Sequence, residues 1–276
     1  MLKGGRPLKY CVLNRGDQLS RELTETFKTL AKQRGMEWDE ESPDIVVSIG
    51  GDGTMLHAFH TFVKQLDRIA FVGVHTGHLG FYADWKAGEI HQLVKLMTDP
   101  RTNLEDCIVK YPVAEIQINR VEETASYYAL NELTLRGAQV TLVAQLHIND
   151  VMLEMFRGDG ICISTPSGST AYNKSVGGAI IHPSLETIQI AEIASINNRV
   201  YRTLGSSMVL PKHHYCDLYP KMNQKILLSV DHIQFEYDDL ISIRVMVSDK
   251  KVRFARLRPF PFWRRVKDAF IGDRLE

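Results

Sequence analysis

The sequence predicts an α/β domain followed by a β-rich one. Strand and helix signals alternate over the first hundred residues, and after about Arg101 the apolar period changes from helical to alternating. A glycine loop at one strand-to-helix junction marks a place in the first half where a backbone can approach a ligand. With 276 residues the chain is long for one domain and ordinary for two, against a prior of about 150 residues per domain.

Residues 8–14 read as a buried strand, and Leu19, Leu23, Phe27 and Leu30 recur at helical spacing in a helix that ends near Gly35. Residues 44–49 form a β-branched run ending in Gly50-Gly51-Asp52-Gly53-Thr54, and residues 55–65 continue as a helix. A further apolar run, 69–74, precedes a glycine-punctuated stretch, and Ile90, Leu93, Leu96 and Met97 form the apolar face of another helix. Such alternation calls for a parallel sheet with helices on its faces. Beyond 101, Ala114, Ile116 and Ile118 interleave with polar residues, as do Leu133 and Leu135, both at strand spacing. Ile241, Ile243, Val245 and Val247 lead to an Asp249-Lys250 turn that Val252 and Phe254 leave, the pattern of a hairpin. In the tail, Phe262, Val266, Ala269 and Phe270 line one face of a helix. Arg264, Arg265 and Lys267 lie on the other, a face expected to be solvated or an interface.

Lys plus Arg and Asp plus Glu each number 33, so no bulk charge draws the chain to nucleic acid or an anionic membrane. Any phosphate site must be local. Cys11, Cys107, Cys162 and Cys216 lie far apart with no C-x-x-C pair, which suits reduced thiols and a cytoplasmic protein. The N-terminus lacks the apolar run of a signal peptide, and no apolar run approaches the roughly 18 residues of a spanning helix. His57 and His60 lack the H-E-x-x-H glutamate, and His213, His214 and Cys216 are too close in sequence for a zinc finger, so no protein metal site is expected.

Gly50, Gly51, Gly53 and Thr54 are the candidate phosphate-binding residues, because a helix N-terminus offers unpaired N–H groups to an anion. A carboxylate among such amides is unfavourable unless it meets a metal ion, a donor hydroxyl or a proton in flight, so Asp52 points to chemistry. The competing reading is a tight turn in which Asp52 caps the helix; the strand before and helix after favour the ligand site. Neither G-x-x-x-x-G-K-[ST] nor a strand followed by G-x-G-x-x-G is present, and protein-kinase motifs are missing. The loop therefore serves another phosphoryl-transfer design.

The string resembles the GGDGT signature shared by NAD kinases, diacylglycerol and sphingosine-type lipid kinases and phosphofructokinases. Further stretches choose among them: Asn131-Glu132, Arg157-Gly158-Asp159-Gly160, and Thr165 through Tyr172 with Asn173, Lys174 and Ser175, then Gly177-Gly178 and Pro183. In this order, and with His75-Thr76-Gly77-His78-Leu79-Gly80-Phe81, the chain is similar to the bacterial NAD kinase family over essentially its whole length. The resemblance implies a Rossmann-like α/β N-terminal domain, 1–101, with 256–276 packing back on it, and a β-rich dinucleotide-binding domain, 102–255. It implies transfer of the γ-phosphoryl group of ATP to the 2′-hydroxyl of the adenosine ribose of NAD, with a divalent cation, Mg²⁺, at the phosphates. It also implies a homodimer or homotetramer that shares its NAD site between subunits, with neither nucleic acid nor membrane as partner.

By the same resemblance Asp52 accepts the ribose proton; a carboxylate is a weak base, so it orients the hydroxyl and takes the proton late. Asn131 and Glu132 read from pattern alone as a solvated strand face, and the resemblance places them on NAD. Asp159, otherwise a turn residue, corresponds to a nicotinamide contact with Arg157 nearby. Gly53, Phe81, Ser167, Thr170, Ala171, Tyr172, Ser175 and Ala194 match NAD-contact positions, as do Asp231 and His232, of which His232 reads equally as a structural histidine. The alternatives are a lipid or sugar kinase sharing the glycine loop and a catalytically silent NAD(P) sensor.

Overall fold

The computed structural model describes residues 6–77 and 80–272; His78 and Leu79 of the glycine-punctuated motif lie outside the described residues. The chain divides into two units, 1–110 with 252–276, and 111–251.

The first unit is built as β1 (Lys9–Asn14), α1 (Gln18–Gln33), β2 (Glu37–Trp38), β3 (Ile45–Gly50), α2 (Asp52–Thr61), β4 (Ala70–His75), β5 (Trp85–Lys86) and α3 (Ile90–Met97). Its strands all pair in parallel, β2 with β1, β1 with β3, β3 with β4 and β4 with β5, and Phe254 extends the sheet by pairing with Phe71. Every residue of β3 is buried, as a central parallel strand covered on both faces must be. One core layer joins Tyr10, Val47, Val72 and Trp85 of the sheet to Phe27 of α1 and Leu93 of α3. Asp17 caps α1, accepting from the Ser20 N–H at 2.8 Å.

The second unit contains β6 (Ile108–Arg120, from Tyr111), β7 (Thr124–Ala129), β8 (Glu132–Gly137), β9 (Leu142–Ile148), β10 (Val151–Gly158), β11 (Gly160–Ser164) and the short α4 (Tyr172–Ser175). These are followed by β12 (Thr187–Ile193), β13 (Met208–Pro211), β14 (Tyr215–Pro220), β15 (Ile226–Val230), β16 (Ile233–Tyr237) and β17 (Leu240–Ala255). One sheet runs β10-β9-β14-β17 with β6 and β7, the other β13-β12-β11-β8-β15-β16, and Leu146, Phe156, Leu218 and Ile243 of the first meet Leu133, Ile163, Ile190 and Leu228 of the second in one core. The terminal helix α5 (Phe262–Phe270) belongs to the first unit.

Four sequence expectations change. The first unit extends to 110 rather than 101, because Leu104 is buried in its core and the Arg256 N–H donates to the Cys107 carbonyl at 2.8 Å; it resumes at Val252, where β17 pairs with β4. Leu19 is exposed, and α1 buries Ser20, Thr24, Phe27 and Ala31 instead, which places Leu23 and Leu30 on the flank. The 241–254 hairpin does not exist. β17 is continuous, and Asp249-Lys250 mimics a turn because inward residues switch from odd (Ile243, Val245, Val247) to even (Val252, Phe254) positions there; Ile241 faces solvent. Finally, the basic face of α5 is not all solvated: Arg265 is buried, while Ala269 and Phe270 are exposed.

Candidate functional site

The backbone leaves buried β3 at Gly50 and enters α2 within two residues, so the first N–H groups of the helix face outward at the strand's C-terminal end. Gly51 is the N-cap and supplies no side-chain acceptor. A cleft of about 410 Å³ opens there, lined by Asn14, Arg15, Gly51, Gly53, Thr54 and His57. A Cβ on Gly51 or Gly53 would meet nothing within 4 Å, so these glycines leave room for a ligand rather than for protein packing. Arg15 is set at the cleft by register: β1 pairs in parallel with β3, Asn14 opposite Ile49, and the Arg15 N–H donates to the Ile49 carbonyl at 3.0 Å.

Asp52 does not cap α2. Its carboxylate lies over Gly80, where an added Cβ would sit 2.2 Å from Oδ1, and its oxygens accept from the Phe81 N–H at 2.9 Å and the Tyr82 N–H at 3.1 Å. One lone pair on each oxygen remains for a further donor. The segment that holds it is itself held. Arg265 donates to the carbonyls of Gly80 (2.8 Å) and Ala83 (2.6 Å) and to Asp84 (2.8 Å), and Arg256 donates to the same Asp84 oxygen at 2.6 Å. The Phe81 ring packs against Phe262 and Phe270, with centroids 6.2 and 5.7 Å away.

In the second unit the Asn131-Glu132 step is gripped from two sides. Asp231 accepts from the N–H groups of Leu130 (2.9 Å), Asn131 (2.7 Å) and Glu132 (3.2 Å), and returns its own N–H to the Glu132 carbonyl at 2.9 Å. Its φ of +53° is the left-handed conformation that aspartate tolerates better than most residues. From the other side, Thr165 and Ser167 both donate their hydroxyls to the Leu130 carbonyl, the Thr165 N–H donates to the Asn131 carbonyl, and Gly168 presses so close that a Cβ would lie 2.0 Å from that oxygen. The buried hydroxyls of this run are thus spent internally: Ser167 on Leu130, Ser169 on Pro166 and Ile181, Thr170 on Ser167.

Burial, aided by the negative charge of Asp231, pushes the Glu132 carboxyl up to about 8, and among the described residues its Oε2 has no hydrogen-bond partner. At neutral pH Glu132 is mostly a neutral acid, able both to donate and to accept. Below about pH 4.5 folded and unfolded chains both hold this proton, and between about 4.5 and 8 the folded chain alone does, so stability falls across that window. Glu132→Gln imitates the protonated form. Its melting temperature should match the native protein near pH 5 and exceed it at pH 8.5; parallel melting curves across pH would contradict the burial argument.

The remaining candidates gather elsewhere in the second unit. Arg157 and Asp159 flank Gly158, where an added Cβ would lie 2.9 Å from the Ala194 carbonyl oxygen; Ala194 itself has a φ of +45°. The Arg157 guanidinium stacks 4.2 Å over Tyr201, and the Asp159 N–H donates to the Ile193 carbonyl. Ala194, Glu192, Ser195 and Gly177 help line a cleft of about 620 Å³. Ala171 and Tyr172 are half-buried at the start of α4, Ser175 ends it exposed, and His232 is exposed beside Asp231 at the β15–β16 turn. The sequence reading did not single out Asn14 or Arg15, matched Asp231 to an NAD contact rather than to the support of Asn131 and Glu132, and placed Arg265 on a face expected to be solvated or an interface. Arg15 carried a usable signal, since it directly follows the first strand, at the end of a parallel sheet where ligands gather.

The pattern of the ATP-NAD kinase N-terminal domain matches residues 17–101, and that of the ATP-NAD kinase C-terminal domain matches 130–257. The chain is similar to NAD kinase 1 of Bacillus cereus, 52% identical over 269 residues, 97% of this chain and 100% of that protein. It is similar also to an NAD kinase of Geobacillus stearothermophilus, 50% identical over 275 residues, 99% and 100% of the two chains. In fold it resembles a yeast NADH kinase complexed with NADH, with a TM-score of 0.82 at 19% identity over 99% of this chain and 90% of that one. An NAD kinase from Archaeoglobus fulgidus in complex with ATP gives a TM-score of 0.73 at 20% identity, over 91% and 94%.

Proposed function

The chain belongs to the NAD kinase family and carries its activity, phosphorylation of NAD by ATP, and from that premise we propose that Asp52 accepts the proton of the ribose 2′-hydroxyl while the 50–54 loop holds the donor phosphates. The observation that carries this reading is the Asp52 carboxylate fixed by two main-chain N–H groups next to a glycine-lined cleft. In the step, the 2′-oxygen bonds to the γ-phosphorus, the bond from γ-phosphorus to the bridging β–γ oxygen breaks, ADP leaves, and the hydroxyl proton passes to Asp52 and then to water. Phosphoryl transfer is mostly positioning and charge stabilisation, which suits a pre-aimed carboxylate better than a strong base. Gly51 and Gly53 admit the phosphates to the main chain, and Arg15 adds a positive charge at the cleft wall.

A divalent cation, Mg²⁺, fits this arrangement as one that arrives with the nucleotide: no group of three or more His, Cys, Asp or Glu gathers among the described residues, so phosphate oxygens and water would supply most of its shell. Bound there, it would neutralise phosphate charge. Asn131, Glu132, Tyr172 and the exposed Asp159, Ser175, Ala194 and His232 are the groups we assign to the dinucleotide, with Ser167 and Thr170 shaping the step that Asn131 and Glu132 occupy.

We place the protein in the cytoplasm, consistent with four free cysteines, and assign it a homodimer or homotetramer. The exposed Val151, Met152, Leu153 and Met155 on edge strand β10 support self-association. A coupled assay with purified protein, ATP, NAD and Mg²⁺ should yield NADP. NAD binding without product would instead indicate a sensor, and phosphorylation of a diacylglycerol or sugar without NAD a different kinase.

A further inference from the structure

Arg265 lies on α5, more than 180 residues along the chain from the segment it touches, and is 8% exposed. A buried guanidinium is costly unless its donors are satisfied. Here one nitrogen bonds the Gly80 and Ala83 carbonyls and another bonds Asp84, a carboxylate it shares with Arg256. The Gly80 carbonyl and the Phe81 N–H belong to one planar trans peptide group and point in opposite directions. The first accepts from Arg265; the second donates to Asp52 Oδ2. A single rigid peptide therefore links the guanidinium to the carboxylate, and a charge-assisted bond on its oxygen polarises the N–H on its far side.

We propose that Arg265 is a positioning residue for phosphoryl transfer: by gripping the Gly80 and Ala83 carbonyls it fixes the Phe81 and Tyr82 N–H groups that aim the Asp52 carboxylate. The terminal helix is thereby part of the catalytic apparatus without touching substrate. The bent fork of arginine is required, because a lysine has no planar set of donors to span two carbonyls and a carboxylate. Asp84 supplies the counter-charge that lets the guanidinium stay buried, and Phe262 and Phe270 clamp the Phe81 ring from the same helix. The proposal rests on the reading of Asp52 as proton acceptor.

A double-mutant cycle in the full-length enzyme tests it. Arg265→Ala should lower kcat about 10- to 100-fold, the scale of a misplaced catalytic group, with KM for ATP and NAD changed less than about threefold. In an Asp52→Asn background the same change should lower the residual rate less than about twofold, because the group it positions is already gone. Arg265→Lys, which keeps the charge beside Asp84, should retain the fold and still show most of the kcat loss; it carries the cycle if the alanine variant melts below the assay temperature. Independent, multiplying effects, or native kcat in a folded Arg265 variant, would overturn the proposal. Native turnover in Asp52→Asn alone would overturn the reading of Asp52 instead, and is told apart because it needs no change at Arg265.

Discussion

An Asp52→Asn enzyme should bind NAD and make almost no NADP. A positioned general base contributes about 10²- to 10⁴-fold, and the substitution removes both the proton acceptor and the negative charge that orients the hydroxyl. There is a second effect. The carboxylate accepts from two N–H groups, whereas an asparagine amide offers one oxygen, so its NH₂ would face either the Phe81 or the Tyr82 N–H. The 80–82 segment should therefore loosen, and the loss is expected near the upper end of that range. Steady-state NADP formation and NAD titration of the same preparation measure the two outcomes separately. A kcat within about tenfold of native would remove Asp52 from the proton-accepting role.

The second large effect is expected at Asp231. Asp231→Ala leaves three main-chain N–H groups without their acceptor, each worth about 1–3 kcal/mol when buried, and places alanine in a left-handed conformation that costs about 1 kcal/mol more. Part of this is recovered by water, since Asp231 is half-buried. A net loss of about 3 kcal/mol in urea unfolding is expected, together with at least a tenfold rise in KM for NAD, because the Asn131-Glu132 step loses one of its two supports. Asp231→Asn should lose distinctly less, as asparagine tolerates the same φ and keeps one acceptor oxygen. Equal losses in the two variants would mean that the three hydrogen bonds are not what holds the step.

The α/β class of the first unit and the β-rich class of the second were legible because periodicity is a local property, and so was the glycine loop, which announces itself at a strand-to-helix junction. The direction of the Asp52 side chain was not. It is set by the N–H groups of Phe81 and Tyr82, about thirty residues downstream, and no local pattern records that approach. The bracing role of Asp231, matched by motif to an NAD contact instead, was hidden for the same reason, its partners lying about a hundred residues upstream. Arg265 was misread because amphipathic spacing puts a basic face toward solvent by default, while the carbonyls and the Asp84 carboxylate that accept its donors come from a loop near residue 80. In β17, a one-residue phase slip and an Asp-Lys pair together imitate a turn that the backbone does not make. The motif assigned Ser167 and Thr170 to NAD contact, whereas the folded chain turns their hydroxyls inward, onto the Leu130 and Ser167 carbonyls.

The most direct measurement is a crystal structure of the protein with NAD bound. An Asp52 oxygen should lie within about 3 Å of the adenosine ribose 2′-oxygen while the Phe81 and Tyr82 N–H groups still donate to the carboxylate. A 2′-hydroxyl directed at another residue, with Asp52 remaining on those two amides and out of its reach, would contradict the assignment.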